Sequence, residues 1–428
     1  MSQRPFRVGI LGGMRIPFCR NNTAYADVGN FGMAVKTLGA LVERFGLHGL
    51  ELGEVAYGAV IKHASDWNLA REATLSSGLA PTTPAITTAR ACGTSLDNAI
   101  LIANKIAAGQ IQAGIAGGAD TTSDVPIVYS RALQRRLLAT NRAKTPAQKA
   151  GAAFRGFSFS ELKPAFPGVA EPRTGKSMGE HCELMAREWN IGREEQDRLA
   201  LASHQKLAAA YARGFFKNLM APFRGVNGDN LLRADTSLEK LAALKPVFDK
   251  TSGQGTLTAG NSSALSDGSA AVLLASDEWA AAHGFKAQAY LTHARVAAVD
   301  FTHGEGLLMA PTIAVPRMLA QAGLTLQDFD FYEIHEAFAA QVLCTLRAWE
   351  SADYCKNRLG LDAPLGAIDP ERLNVNGSSL AAGHPFAATG ARIVATLARL
   401  LEEKGTGRGL ISICTAGGMG VAAILERS

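Results

Sequence analysis

Residues 387–425 read AATGARIVATLARLLEEKGTGRGLISICTAGGMGVAAIL, and their pattern decides the fold class. Ile393, Val394, Leu397, Leu400 and Leu401 recur at helical spacing, which predicts a helix over Ala387–Leu401 that stops at Gly405. Leu410–Cys414 is a short apolar run of strand type, closed by Gly417-Gly418, and Ala422–Leu425 continues as a strand. The same order stands near the N-terminus. Ser95–Ala108 is predicted helical, with Leu96, Ile100 and Ala103 on one face, and Ala113–Ala116 is a buried strand closed by Gly117-Gly118. Arg7–Leu11 is predicted as a strand ending in a Gly12-Gly13 turn, Gly32–Phe45 as a helix, and Glu54–Ile61 and Phe329–Ile334 as strands. Alternation of this kind implies an α/β fold with helices covering a central sheet. The recurring unit suggests internal duplication; the plainer alternative is that α/β proteins repeat such units anyway.

Between the repeats, roughly Thr122 to Ser263, the rhythm breaks. This stretch carries Arg131, Arg135, Arg136, Arg142, Lys144 and Lys149, an apolar proline-containing run from Phe154 to Pro172, and a helix over Arg193–Gly214. It reads as an insertion that covers the site. Its basic run is a solvated helix face, or else a contact for phosphates, a membrane surface or a partner subunit.

The 428 residues are 47% hydrophobic and 19% charged, which fits a packed globular chain and excludes wholesale disorder. A net charge of +5 suits an anionic substrate and is too weak for nucleic acid. No apolar run is long enough for a transmembrane helix. The six cysteines form no C-x-x-C pair, which argues against zinc and suits a reducing, cytoplasmic compartment.

Four stretches carry candidate chemistry. TARACGTSLDNAI (88–100) places Cys92 before a helix whose Thr94–Asp97 has capping-box character, where helix amides favour a thiolate. NVNGSSLAAGHPFAATGAR (374–392) holds His384 in an extended position before Pro385, where it can serve as the base for a thiol. FDFYEIHEAFAAQ (329–341) puts His335 and Glu336 after a strand and at the opening of a helix, with His335 as an oxyanion donor. ISICTAGGMG (411–420) sets Cys414 before a glycine-rich turn with exposed amides. Taken alone, each has a plainer reading: a core thiol, or an imidazole capping a turn.

Together, in this order, they resemble the thiolase family. AGNSSALSDGSAAVLL (259–274) and SMGEHCELMAREWNIGREEQDRLALASHQ (177–205) extend the resemblance over nearly the whole chain. It implies duplicated βαβαβαββ halves in a five-layered α-β-α-β-α core with an inserted loop domain. The halves would be 1–122, completed by about 264–286, and 287–428, with the loop domain at 123–263. Cys92 would be the acylated nucleophile, His384 its activator, Cys414 the second acid/base, and the amides of Cys92 and Ala416 the oxyanion site. Ser263 and Ala259 would meet the pantetheine arm of coenzyme A, and Met178, Phe248 and Met309 would wall the cavity.

His335 stands where many biosynthetic thiolases have asparagine. This resembles the β-subunits of fatty-acid-oxidation multienzyme complexes, as do the run HPFAATGAR, the long 131–176 segment and an insertion near Ala352–Arg372. Gly377-Ser378-Ser379 stands where a glycine pair usually follows the asparagine, which puts the local backbone in question, and Ala416 replaces a frequent glycine.

The implied reaction is thiolysis of 3-ketoacyl-CoA, with CoA as co-substrate and neither metal nor bound cofactor. Condensation of two acetyl-CoA molecules is the nearest alternative, and a non-catalytic acyl-CoA-binding subunit the remote one. A homodimer or homotetramer is expected, with a hydratase/dehydrogenase α-subunit as a further partner.

Overall fold

The computed structural model describes residues 7–168 and 170–428. Residues 1–6 of the expected first half and Val169 of the expected insertion lie outside the described residues. The strands are β1 (Val8–Arg15), β2 (Cys19–Arg20), β3 (Glu54–Gly58), β4 (Ala85–Thr88) and β5 (Ala113–Asp120), then β6 (Ser266–Ala275), β7 (Ala289–Ala298), β8 (Phe331–Ile334), β9 (Gly407–Thr415) and β10 (Met419–Arg427). All but β2, which pairs with β6, run in the order β4-β3-β5-β6-β1-β7-β10-β9-β8.

This order is a duplication. In the first half β3 is parallel to β4 and β5, while β5–β6 and β6–β1 are antiparallel. In the second half β8 is parallel to β9, while β9–β10 and β10–β7 are antiparallel. A parallel bridge from Tyr332 to Leu373 stands where β3 meets β4. The halves join through antiparallel β1 and β7.

The buried side chains sort into layers. The helices Thr94–Ala107 and Thr389–Lys404 share one core with both sheet halves, Leu96, Ile102, Ile393 and Leu397 packing with Val272, Ile411 and Val421. The helix Asn30–Arg44 covers the far face of the first half, with Leu38 and Leu41 beside Val55 and Leu273. The helices Pro311–Ala322 and Ala339–Glu350 cover the second, with Met318 and Val342 beside Leu410 and Ile424. The result is α-β-α-β-α. Each fully buried aliphatic side chain contributes about 1.5–3 kcal/mol through area removed from water.

The two central helices touch at their N-termini. A Cβ on Gly390 would lie 2.3 Å from the Leu96 backbone nitrogen, so only glycine permits the crossing. Ala391 N–H donates to Ser95 Oγ at 2.8 Å across the same contact. This crossing brings the residues before each helix into one place.

Two glycine pairs depart from expectation. Gly12-Gly13 lies inside β1, at a register shift between Ile10 and Gly12, and does not end it. Gly117-Gly118 lies inside β5, which runs on to Asp120. The glycines there serve close packing: a Cβ on Gly118 would sit 2.3 Å from the Ala387 carbonyl oxygen.

Within the insertion, the helix Arg193–Ala212 braces the second half. Lys206 Nζ donates to the carbonyls of Pro370 and Leu373 at 3.1 and 2.9 Å. The basic run falls on the helices Arg131–Arg142 and Pro146–Phe154 and, at Lys144, on the link between them, largely exposed, with Arg136 paired to Glu161 at 2.6 Å. Among the described residues no helix is long and apolar enough to cross a membrane.

Candidate active site

Cys92 ends a tight connection from β4 to the Thr94–Ala107 helix. Thr94 and Asp97 form no capping box, because both are spent on the turn. Thr94 Oγ1 accepts from Arg90 N–H and donates to the Ala91 carbonyl, both at 2.7 Å, and Asp97 pairs with Arg90 Nε at 2.8 Å. The helix cap is Gly93, without a side-chain bond. Ala91 is held at φ 42°, a left-handed conformation that a side chain disfavours. This fixes the direction of the next side chain, Cys92.

The Cys92 sulfur lies 3.1 Å from His384 Nε2. His384 Nδ1 is 2.7 Å from Thr389 Oγ1, and the His384 N–H donates to Ser266 Oγ at 3.1 Å. Just beyond, Ala387 N–H donates to the Asp120 carboxylate at 2.7 Å. That carboxylate also accepts from Val60 and Ile61 at 3.0 and 2.8 Å, so the end of β5 clamps the turn after His384 to the first half. Burial pushes Asp120 up to about 7 although these amides oppose it.

Cys92 is half-buried, leaving access for substrate. Its sulfur is nevertheless enclosed, and burial pushes the thiol up to about 12, against the lowering effect of the Ala416 and Cys92 backbone groups. Burial, then the charge of Arg392, lowers His384 to about 3. Desolvation thus opposes the expected helix-stabilised thiolate, favouring the neutral thiol and the neutral imidazole.

His335 and His384 are neighbours, with ring centroids 4.1 Å apart. The Cys92 sulfur and one nitrogen of each ring lie within 4.8 Å of one another. His335 is fully buried, its Nδ1 is 3.0 Å from Ser379 Oγ, and its Nε2 has no hydrogen-bond partner among the described residues. Burial, with the nearby charges of His384 and Arg392, lowers its pKa well below the usual imidazole value.

Glu336 does not open a helix, since the next one starts at Ala339. Its carboxylate accepts from Ser203 Oγ and Asn374 Nδ2, both at 2.7 Å, and from Leu380 N–H at 3.2 Å. It braces the loop that carries Ser379 and His384. The serines at 378 and 379 cause no distortion there. Gly377 takes φ 71°, and Ser378 N–H donates to Ser203 Oγ at 3.1 Å.

Cys414 is buried near the end of β9 and packs with Leu257, Met309 and Phe338, against which Met178 and Phe248 also pack. Burial raises its thiol well above the ordinary value, and proximity to Cys92 raises it further. Ser263 N–H donates to the Ala337 carbonyl at 3.0 Å, two residues past His335. Ala259 lies exposed on a turn. Asp120, Thr389, Ser379 and Arg392 were not singled out by their own chemistry. Asp120 had a weak signal, an acid at the C-terminal end of a buried strand.

Residues 8–278 match the thiolase N-terminal domain and residues 285–427 the thiolase C-terminal domain. The chain belongs to the thiolase family. This thiolase is 39% identical to the 3-ketoacyl-CoA thiolase of Photorhabdus laumondii, over 100% of this chain and 98% of that one. It is 38% identical to the 3-ketoacyl-CoA thiolase of Shewanella baltica, over 98% and 97%. Among solved structures, the Bacillus anthracis acetyl-CoA acetyltransferase is 30% identical with a TM-score of 0.81, covering 99% of this chain and 100% of that one. Human mitochondrial 3-ketoacyl-CoA thiolase in complex with CoA is 27% identical with a TM-score of 0.81, covering 99% and 98%.

Proposed function

We propose that this thiolase cleaves 3-ketoacyl-CoA with CoA, giving acetyl-CoA and a shortened acyl-CoA, as in fatty-acid β-oxidation, and that Cys92 carries the acyl group. The observation that carries the residue assignment is the Cys92–His384 contact of 3.1 Å beside the amide of Ala416. The reaction follows from the charges each group can hold. His384 Nε2 takes the Cys92 proton as the sulfur attacks the 3-keto carbon. The amides of Cys92 and Ala416 hold the resulting oxyanion. The C2–C3 bond then breaks, leaving an acyl thioester on Cys92 and the enolate of acetyl-CoA.

His384, now protonated, and His335 donate to the enolate oxygen, and Cys414 gives its proton to the enolate carbon. Incoming CoA returns a proton to Cys414, and its sulfur attacks the acyl-enzyme. Cys92 leaves and recovers its proton from His384. Each group ends as it began, and ping-pong kinetics follow. Met178, Phe248 and Met309 wall the acyl and pantetheine cavity in this reading, with Ser263 and Ala259 along the pantetheine arm. Residues 123–263 act as a loop domain over it.

Incubation with a 3-ketoacyl-CoA in the absence of free CoA tests this. Mass spectrometry should find the acyl group on the peptide containing Cys92. An acyl group on another residue, or none while acetyl-CoA is released, overturns the assignment. The likeness to an acetyl-CoA acetyltransferase favours a second reading, condensation to acetoacetyl-CoA. Relative kcat/KM for short and long 3-ketoacyl-CoAs separates the two.

We also propose a homodimer or homotetramer in the cytoplasm. The sheet ends at β4 with Ile86 exposed, an edge that a second copy can cover, and the six cysteines are free. Exposed Phe154, Phe159 and Phe166 on the insertion offer apolar surface to a hydratase/dehydrogenase subunit. Gentle co-purification that yields only this chain counts against that subunit.

A further inference from the structure

We infer that Ser379, held by Arg392, is a positioning residue that fixes His335 in the Nε2–H tautomer and thereby makes it a hydrogen-bond donor to the reacting oxygen. The inference deepens the proposed reaction and rests on it for the role of His335.

The direction of each bond follows from what each group can donate. A guanidinium has only donors. Arg392 Nη2 lies 3.2 Å from Ser378 Oγ and 3.0 Å from Ser379 Oγ, so it donates to both. Ser379 Oγ has one other hydrogen-bond partner among the described residues, His335 Nδ1 at 3.0 Å. Two arrangements are open. In one, the serine hydroxyl donates to Nδ1, and the His335 Nε2–H alone of these two residues' groups is left without a partner among the described residues. In the other, His335 Nδ1–H donates to the serine, which then accepts twice, and both the serine hydrogen and the bare His335 Nε2 are left without partners among the described residues.

Ser379, His335 and Arg392 are all buried, and each buried donor or acceptor left unpaired costs about 1–3 kcal/mol, so the arrangement that leaves one such group is favoured over the one that leaves two. The first arrangement prevails. It leaves the remaining proton of His335 on Nε2, the unpartnered atom of the ring packed against His384. Burial, with the charge of Arg392 acting in the same direction, disfavours a second proton on that ring.

His384 needs the opposite tautomer. To accept the Cys92 proton its Nε2 must be bare, so its Nδ1–H donates to Thr389 Oγ1 at 2.7 Å. Two adjacent imidazoles, tilted by 49°, thus take opposite tautomers, each paired with its own hydroxyl.

Neutron diffraction on the wild-type enzyme reads the tautomer directly. Deuterium should appear on His335 Nε2, with the Ser379 hydroxyl pointing at Nδ1. Deuterium on His335 Nδ1 overturns the proposal, whatever the outcome for acylation of Cys92.

Kinetics give a second reading. Ser379→Ala should lower kcat about ten- to hundredfold with little change in KM, since a misplaced donor weakens the oxyanion contact and not ground-state binding. Ser379→Thr, which keeps the hydroxyl, should restore most of kcat. Wild-type kcat in a folded Ser379→Ala enzyme would also overturn the proposal. Acylation of Cys92 in the absence of CoA, followed in parallel, shows whether the reaction itself is as proposed.

Discussion

The two halves share a strand order but connect sheet to central helix in opposite ways. In the first, residues 89–93 make a short, strained turn ending in Cys92, with Ala91 at φ 42° and Thr94 tying the backbone. In the second, residues 374–388 form a long loop ending near His384, held by side-chain hydrogen bonds. Asn374 pairs with Ile334 on both its N–H and its carbonyl, at 2.9 Å each, and Glu336 grips the loop from the other side. Cys92, the proposed nucleophile, is aimed by backbone geometry, and His384, the proposed base, by a buried polar network. The equivalent junctions of the two halves thus carry a thiol on a short connection and an imidazole on a long one.

Breaking the first junction should have the largest effect. Cys92→Ser keeps the turn but replaces the reacting atom. It should lower thiolysis about 10⁴-fold or more, with the fold intact by circular dichroism. Near-native turnover would show that the first junction carries no nucleophile. His384→Ala attacks the second junction and should cost about 10²–10⁴ in kcat/KM, the range for a general base. A loss below tenfold would leave the base unassigned.

The second junction should also be the pH-sensitive one, because its network is built on buried ionisable groups. Glu333 is buried beside Arg392, and burial pushes it up to about 8. Its folded pKa exceeds the unfolded value near 4.5. The native state therefore holds the proton more tightly, and the stability this provides is greatest below about 4.5 and is lost as pH rises toward 8. Glu333→Gln fixes the neutral form. It should flatten the decline in urea stability between pH 5 and 8.5, a difference of about 1–3 kcal/mol. Equal slopes in both proteins would mean that Glu333 is ionised throughout.

Much of the fold was legible because helix stripes such as Ile393–Leu401 and apolar runs such as Leu410–Cys414 depend on local periodicity. The glycine pairs misled because glycine marks two different needs. At Gly12-Gly13 and Gly117-Gly118 it permits close approach inside a strand, and sequence alone does not separate that from a turn. Cys92, His384, His335 and Cys414 stood out together because their order and neighbours are distinctive, and the first three lie side by side in the structure. Asp120 and Arg392 were not, because each acts through partners far along the chain: Asp120 on Ala387, and Arg392 on Ser379 and through it on His335. The desolvation that opposes a Cys92 thiolate was also illegible. A helix terminus can be read from sequence, but desolvation needs the folded surroundings.

The smallest effect, and the finest test of the contrast, lies at Ala91. A left-handed backbone costs a non-glycine residue roughly 1–2 kcal/mol. Glycine removes that strain but frees the unfolded chain by about 0.4–1 kcal/mol. Ala91→Gly should therefore leave stability within about 1 kcal/mol of wild type while lowering kcat a few-fold, because the turn no longer forces one direction on Cys92. Ala91→Val adds a β-branched side chain to the same backbone and should lose about 1–2 kcal/mol more than the alanine. Urea unfolding measures both. If valine is tolerated as well as alanine, Ala91 is unstrained, and the first junction, like the second, owes its geometry to hydrogen bonds.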